Sequence, residues 1–254
     1  AFTKYDGSEA NSVEMPTLGA KNGLTLASMI GKDFDDPEWD TLLDQLTYSE
    51  MVNTITLGFH NTAAAASIGK TATKDENGPQ GLTAALTGGA SAMCYTSEDV
   101  MAATFNVDLI NEVGRCIGED CLAMGYSGLY GPGINMHRTA YSGRNFEYYS
   151  EDPFVAGTIC AAEVQGIQSK GVYVYLKHVA LNDSETSRRG VNTWLNEQTA
   201  REIYLEVADK AITDGGAWSV MTGFNRWGAT WCGANANLLT GFLRCLLYTS
   251  PSPR

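Results

Sequence analysis

The chain has 254 residues, of which 44% are hydrophobic, which is enough for one large α/β domain with its own core. It carries 17 Lys and Arg against 29 Asp and Glu, and the net charge of -12 argues against nucleic acid or an anionic membrane as a partner. No stretch approaches the roughly 18 apolar residues of a membrane span, and the N-terminus lacks the layout of a signal peptide. We therefore expect no membrane contact and a cytoplasmic location.

The first 35 residues are polar and rich in turn formers, with Met15-Pro16 and Asp36-Pro37 as helix breakers, so we expect a lead-in or linker rather than a packed element. The domain proper is expected from residue 36 to residue 244. Apolar residues at helical spacing between Asp40 and Ile55 predict one helix or two short ones. Thr47 and Glu50 form a predicted capping box within this segment.

From residue 95 onward a strand, a loop and a helix recur as a unit. The strands predicted at 172–177 and 217–222 are short and apolar, as buried parallel strands are. The strand ends lie about 45 residues apart, which leaves room for long loops in an α/β barrel of the (β/α)8 TIM type. A doubly wound open sheet is the alternative, but its glycine-rich nucleotide-binding turn is absent. The predicted helices are 98–124, 152–169 and 196–214, and the predicted strands are 128–132, 172–177 and 217–222.

Several kinds of chemistry lack their sequence signals. The nearest match to a phosphate-binding loop, at Gly69-Lys70-Thr71, has Ala64 where the first glycine is needed. The three histidines show no zinc-binding spacing, and no G-x-S-x-G motif is present. We expect no metal and no cofactor. The six cysteines form no C-x-x-C pair, and we interpret them as buried thiols of a reducing compartment: Cys94, Cys116, Cys121, Cys160, Cys232 and Cys245.

Polar side chains stand where a barrel keeps its functional residues, at the carboxyl ends of strands. The clearest case is Lys177-His178, which ends an apolar strand, because a buried lysine needs a partner or a ligand. The alternative is a lysine that reaches solvent beside a core histidine. For Arg144 the alternative is a salt bridge to Glu147, three residues on.

Four motifs in order resemble the signatures of glycoside hydrolase family 3, over roughly residues 40 to 243. The most specific is the block from Gly143-Arg144-Asn145-Phe146-Glu147 to Ser150-Glu151-Asp152-Pro153. The others are Asn77-Gly78-Pro79-Gln80-Gly81-Leu82, Lys177-His178 with Asn182, and Ser219-Val220-Met221 before Phe224-Asn225.

The resemblance implies a barrel that binds the terminal, non-reducing sugar of a β-linked glycoside at its strand ends. Arg144, Lys177 and His178 would donate hydrogen bonds to its hydroxyls, which strengthen as an oxocarbenium-like transition state forms. The substrate-binding set it implies is Asn77, Arg144, Lys177, His178, Met221 and Phe224, with Glu147, Asn182 and Arg188 in support. Two residues depart from the family pattern: Asn77 replaces a common aspartate, and Phe224 replaces a common tyrosine.

The resemblance also implies that both catalytic carboxyl groups lie outside this chain. In the family, a stretch like Leu238–Arg244 continues to a strand that ends in the nucleophilic aspartate, whereas residues 245–254 look like a non-native tail. The barrel is therefore expected to be incomplete at its C-terminal end. A second domain of the same parent chain would supply the acid/base. Glu147, Asp183 and Glu185 are each interpreted as partners of Arg144, Arg188 or Arg189, which would lower their pKa.

The expected activity of the intact parent is hydrolysis of a small-molecule or oligosaccharide β-glycoside by a retaining, β-glucosidase-like mechanism. Within the same family, a β-xylosidase or a β-N-acetylhexosaminidase is the alternative. A catalytically dead sugar-binding module is the alternative from another class. The chain alone is expected to be inactive and poorly soluble, because an incomplete barrel exposes unpaired strand edges.

Overall fold

The computed structural model describes residues 14–84 and 87–244. It divides into two compact units, with the boundary between Thr73 and Lys74. The α-helices are α1 (Glu38–Leu43), α2 (Tyr48–Thr56), α3 (Glu98–Ala103), α4 (Val107–Ala123), α5 (Pro153–Gln168), α6 (Glu197–Thr199) and α7 (Glu206–Thr213). The strands are β1 (Asn61–Thr62), β2 (Thr73–Asn77), β3 (Gly128–Tyr130), β4 (Tyr173–Val179), β5 (Asn192–Thr193), β6 (Ser219–Thr222), β7 (Arg226–Trp227) and β8 (Thr230–Trp231).

The first unit contains the two short helices predicted between residues 40 and 55. The capping box at the start of α2 is confirmed, since Thr47 accepts from the backbone of Glu50 and the Glu50 carboxylate accepts from the backbone of Thr47. The prediction of an unpacked lead-in is wrong at Met29, which ends a one-turn 3-10 helix and is 2% exposed. Met29 belongs to a small apolar core, which also contains Leu42, Ala65 and Ile68.

The second unit is built on parallel strands in the order β2, β3, β4, β6. Each strand pairs with its neighbour in that series without reversal, whereas a doubly wound sheet reverses its order at a switch point. The order therefore favours the barrel type of winding. The strands predicted to begin at 128, 172 and 217 are confirmed to within two residues. Because these strands are parallel, their carboxyl ends all lie on the same side of the sheet. A small second sheet of β5, β7 and β8 was not predicted.

The helices of the second unit match the predicted segments with two interruptions. The segment predicted as 98–124 is two helices, because Phe105 adopts a left-handed φ of 50° and Asn106 caps α4 by accepting from the backbone of Leu109. The segment predicted as 196–214 contains a π-helical stretch, Ala200–Leu205, between α6 and α7. Helices α4 and α5 pack closely at Gly114 and Gly166, where a side chain would overlap the facing backbone.

The cysteines are only partly as expected. Cys121, Cys160 and Cys232 are buried free thiols, but Cys94, which precedes α3, and Cys116, which lies within α4, are free and exposed. The sixth, Cys245, lies outside the described residues, as does the whole of the predicted tail 245–254. Among residues 14–84 and 87–244, no helix has the length and apolar character needed to cross a membrane.

Candidate functional site

The site begins at the carboxyl end of β4, where Lys177 is bracketed by neighbouring segments. In the sheet register it lies opposite Met221 of β6. On its other side, its backbone N–H donates to the carbonyl of Pro132 at 3.0 Å, and its carbonyl accepts from Ile134 at 2.6 Å. The parallel pairing therefore brings the ends of β3, β4 and β6 to one place.

A carboxylate shared by two cations forms the centre of the site. Glu147 Oε2 lies 3.2 Å from Lys177 Nζ, and Glu147 Oε1 accepts from Arg144 Nε. Lys177 is 5% exposed and Glu147 is 3% exposed, so the alternative of a lysine reaching solvent is wrong. Burial lowers the pKa of the Lys177 ammonium, and the charge of Glu147 opposes that shift. The lysine also donates to the carbonyl of Gly78 at 3.3 Å.

His178 is buried beside this centre and is held from both sides. Its backbone N–H donates to Asn135 Oδ1 at 2.9 Å, and its carbonyl accepts from Asn135 Nδ2 at 3.0 Å. Its ring Nδ1 lies 3.1 Å from Tyr148 Oη. Burial, reinforced by the charges of Arg144, Lys177 and nearby Arg188, lowers the pKa of the imidazole to about 2. The ring is therefore neutral at ordinary pH and has one donor and one acceptor nitrogen.

A second group of charges lies in the loop that follows β4. Glu185 Oε2 accepts from Arg188 Nη1 at 2.8 Å, and Glu185 Oε1 lies 3.9 Å from Arg144 Nη1. The guanidinium carbons of Arg188 and Arg189 lie 5.1 Å and 5.9 Å from the ring centre of Phe224, within the range of a cation–π contact. Phe224 remains 46% exposed.

Two buried amides near the same strand ends have polar atoms without a partner among the described residues. Asn182 is 2% exposed, and neither its Nδ2 nor its Oδ1 is bonded. Asn225 donates to the carbonyl of Ala180 at 3.0 Å and so ties the β6 loop to the β4 loop, but its Oδ1 is not bonded. Buried polar atoms are nearly always hydrogen-bonded, so these atoms mark a place suited to a polar ligand or to water.

The family model "Glycosyl hydrolase family 3 N terminal domain" matches residues 53–247 of this chain. The chain belongs to glycoside hydrolase family 3. Thermostable β-glucosidase B of Acetivibrio thermocellus is 34% identical over 212 residues, which are 80% of this chain and 28% of that protein. An exo-α-(1→6)-L-arabinopyranosidase of Bifidobacterium longum is 34% identical over 177 residues, which are 66% of this chain and 23% of that protein.

Solved structures of family members show the same architecture. β-Glucosidase 3B from Thermotoga neapolitana, in complex with α-D-glucose, superposes with a TM-score of 0.74 at 32% identity, over 84% of this chain and 33% of that chain. The chain spans about a quarter of the length of the curated β-glucosidases it matches.

The site residues expected from the family motifs are only partly brought together. Direct contacts join Arg144, Glu147 and Lys177, and His178 follows in the chain. Met221 is placed beside Lys177 by the strand register alone. Asn77 ends β2, but its side chain donates to Glu76 Oε1 at 2.8 Å, and within the described residues it forms no hydrogen bond with that cluster.

Three contributors to the site were not predicted: Asn135, Tyr148 and Gly78. Asn135 follows β3 in the chain, so the rule that sites form after strand ends could have selected it. Tyr148 lies within the family block but was not assigned a role. Gly78 contributes only its backbone carbonyl, which side-chain chemistry does not reveal.

The expected role of Asp183 is wrong. Its carboxylate accepts from the backbone of Met136 at 2.8 Å, and the cation whose charge lowers its pKa is Arg138 rather than Arg144, Arg188 or Arg189. Burial raises the pKa of Asp183 to about 6, although that hydrogen bond and Arg138 oppose the shift. Glu147 and Glu185, in contrast, do pair with arginine as expected.

Proposed function

We propose that the complete protein hydrolyses terminal, non-reducing β-D-glycosidic bonds as a β-glucosidase-like enzyme, and that this chain holds the terminal sugar. The observation that carries the proposal is the cluster of buried Glu147, Lys177 and His178 with half-buried Arg144 at the carboxyl ends of parallel strands. The strands belong, on this proposal, to a (β/α)8 barrel, which the sequential parallel order of β2, β3, β4 and β6 supports.

The cluster suits a neutral polyol. Glu147 fixes the side chains of Arg144 and Lys177 without using all of their N–H donors, since arginine has five and lysine three. The neutral ring of His178 adds a donor or an acceptor. Fixed donors of this kind bind sugar hydroxyls with little ordering cost and can strengthen their bonds in the transition state.

The catalytic carboxyl groups of a retaining glycosidase are, on this proposal, supplied elsewhere in the parent protein. Retention needs a nucleophile and an acid/base about 5 to 5.5 Å apart. Within this chain, Glu147 and Glu185 each pair with cations, and Asp183 accepts a backbone N–H. These contacts favour structural roles for all three. The length of the relatives beyond the matched region supports a second domain that provides the acid/base.

The identity of the sugar depends on the positions that depart from the family pattern. Asn77 keeps an acceptor but loses the charge-assisted bond of an aspartate, and Phe224 lacks the hydroxyl of a tyrosine. The relatives include β-glucosidases and an exo-α-(1→6)-L-arabinopyranosidase, so the family accommodates more than one sugar. Competition among D-glucose, D-xylose, N-acetylglucosamine and L-arabinose for the site would rank them.

The test is sugar binding by the chain itself, measured by isothermal titration or ligand-observed NMR with D-glucose. Lys177→Met and Arg144→Met should each weaken binding at least tenfold, because each removes a charged donor. Arg115→Met is the matched control: Arg115 forms an exposed ion pair with Glu112, three residues apart like Arg144 and Glu147. Equal affinity in Lys177→Met and in the control, with both variants folded, would refute the proposed site.

Turnover is tested separately with a chromogenic β-glucoside. The chain alone should show none, and the full-length parent should show activity that Lys177→Met reduces. Clear turnover by the chain that Asp183→Ala abolishes would assign catalysis to this chain and overturn the proposal of external carboxyl groups. A full-length parent that binds glucose without turnover would instead be a sugar-binding module.

We also propose a reducing, cytoplasmic location, which the buried free thiols of Cys121, Cys160 and Cys232 support. Thiol titration of the denatured protein from its native source should count all cysteines as free. A deficit of thiols that a reductant restores would contradict this location.

A further inference from the structure

Two glutamates outside the proposed sugar site are completely buried. Glu98 begins α3 and Glu163 lies within α5, two helices that contact each other, and each glutamate is 0% exposed. One oxygen of each is held by a donor: Glu163 Oε2 accepts from Tyr149 Oη at 2.5 Å, and Glu98 Oε2 accepts from Gln80 Nε2. The other oxygen of each, Oε1, has no partner among the described residues.

The surroundings of this acid pair do not compensate two negative charges. Neither glutamate forms an ion pair within the described part of the chain. The negative charges of Glu163 and Glu147 raise the pKa of Glu98. The cation that the charge of Glu98 influences is Lys177, which is already paired with Glu147. Two buried like charges without a cation are too costly for both to be present.

Glu163 accepts a hydrogen bond from Tyr149, and its charge acts on Cys160. Tyr149 and Cys160 are fully buried, and burial raises the pKa of each further above its usual range, so both groups are neutral at ordinary pH. They therefore supply no positive charge to the acid pair. The phenol of Tyr149 supplies one hydrogen bond, which partly stabilises the ionised form of Glu163.

We infer that Glu98 and Glu163 hold one proton between them above neutral pH, and that Gln80 transmits the charge state of this pair to the loop that carries Glu147. Gln80 provides the link because its side-chain amide also donates to the carbonyl of Phe146 at 2.9 Å, one residue before Glu147. The inference goes beyond the proposed function and does not depend on it.

The proton linkage has a definite sign. Burial raises the pKa of Glu163 to about 7 and that of Glu98 well above its usual value near 4.5. A raised pKa in the folded state stabilises the fold fully below about pH 4.5, and this stabilisation is lost as the pH rises through the folded-state pKa. Each proton that the folded protein keeps and the unfolded chain has lost raises the unfolding equilibrium constant about tenfold per pH unit.

The first test looks for the proton directly, by infrared spectroscopy of the chain labelled with carboxyl-carbon-13 glutamate at about pH 8. The carbonyl stretch of a protonated carboxyl group should be present, because exposed glutamates are fully ionised there. It should disappear in Glu98→Gln/Glu163→Gln and persist in Glu112→Gln, which changes an exposed glutamate. A wild-type spectrum without the band, or a double variant that retains it, overturns the shared proton.

The second test follows stability and transmission. From about pH 7 to about pH 8, the unfolding equilibrium constant should rise in the wild type and in Glu112→Gln. The rise in the double variant should be smaller by a factor of about ten, because it lacks the shared proton. The side-chain amide resonance of Gln80, assigned with Gln80→Met, should shift with pH in the wild type and stay constant in the double variant. Parallel stability profiles overturn the linkage, and a Gln80 resonance that does not move while the pair ionises overturns the transmission.

Discussion

The ion pairs around Glu147 predict how the site responds to the loss of one charge. Glu147→Gln removes the counter-charge of Lys177, a 5% exposed ammonium, and leaves it uncompensated. Breaking a buried ion pair by removing one partner costs about 3 kcal/mol of unfolding free energy. The loss should be smaller toward about pH 10, where a lysine with a lowered pKa gives up its proton. Urea denaturation at two pH values measures both effects.

The matched control for this substitution is Glu112→Gln, since Glu112 pairs with Arg115 on the exposed face of α4. An exposed pair contributes less than about 1 kcal/mol. Equal losses in the two variants would show that the Glu147 cluster is no more stabilising than a surface ion pair.

Neutralising the carboxylate of a second residue, Asp183, should increase the free energy of unfolding. Its pKa is raised to about 6, so its contribution to stability is present below about pH 4 and is lost as the pH rises through 6. Asp183→Asn keeps the oxygen that accepts from Met136 but removes the buried charge. The variant should be about 2 kcal/mol more stable than the wild type at pH 7 and equal to it near pH 4.

Urea denaturation at both pH values measures this difference, with Asp214→Asn as the control at an exposed carboxylate. A variant that is less stable at pH 7 would mean that Arg138 depends on the charge of Asp183.

Among the residues of the site, the sequence indicated Lys177 and its need for a partner, because a lysine after an apolar strand requires one. It could not indicate the contact between Asn135 and His178, because the two residues lie 43 positions apart and meet only through the sheet.

The close crossing of α4 and α5 predicts unequal losses of stability at two glycines of α5. An alanine at Gly166 would overlap the backbone carbonyl of Asn111, which cannot move aside, so Gly166→Ala should cost about 2 to 3 kcal/mol despite its better helix propensity. An alanine at Gly157 would lie 2.8 Å from Cδ and 2.9 Å from Cβ of Lys210, and Gly157→Ala should cost clearly less than Gly166→Ala because a lysine side chain can shift and a backbone carbonyl cannot. Thermal unfolding of both variants is the measurement, and similar shifts would contradict the crossing.

The elements also show what a sequence pattern can and cannot predict. The strands β4 and β6 were predicted from their short apolar runs; β4 is largely buried, whereas β6 is half-buried throughout. Strand β2 was missed because its sequence, Thr73–Asn77, is polar throughout. It is stable inside the unit because Asp75 accepts from the hydroxyls of Tyr173 at 2.5 Å and Tyr175 at 2.9 Å, partners about a hundred residues away.

For the whole chain, an open sheet edge and a high net charge have opposing effects on association. Strand β6 is the last in its sheet among the described residues, and beside it Trp218 is 60% exposed. Unpaired edges promote self-association, whereas the charge of -12 keeps molecules apart until salt screens it. Sedimentation should therefore show monomer at low salt and larger species at about 0.5 M salt.

Trp218→Lys should reduce this association, and Trp194→Lys, at another exposed tryptophan on the small sheet, is the matched control. A monodisperse wild-type chain at both salt concentrations would contradict the expectation. So would an equal effect of the two substitutions, since association would then not involve the β6 edge.

Because one carboxylate serves both Arg144 and Lys177, the three side chains are under joint constraint during evolutionary drift. Loss of Glu147 alone leaves two cations facing each other, and loss of either cation leaves the remaining pair stable but reduces the set of donors. The order of substitution therefore matters: a descendant that abandons this site can lose a cation first and the carboxylate second far more easily than the reverse. The cluster is an epistatic unit, and its history should be directional.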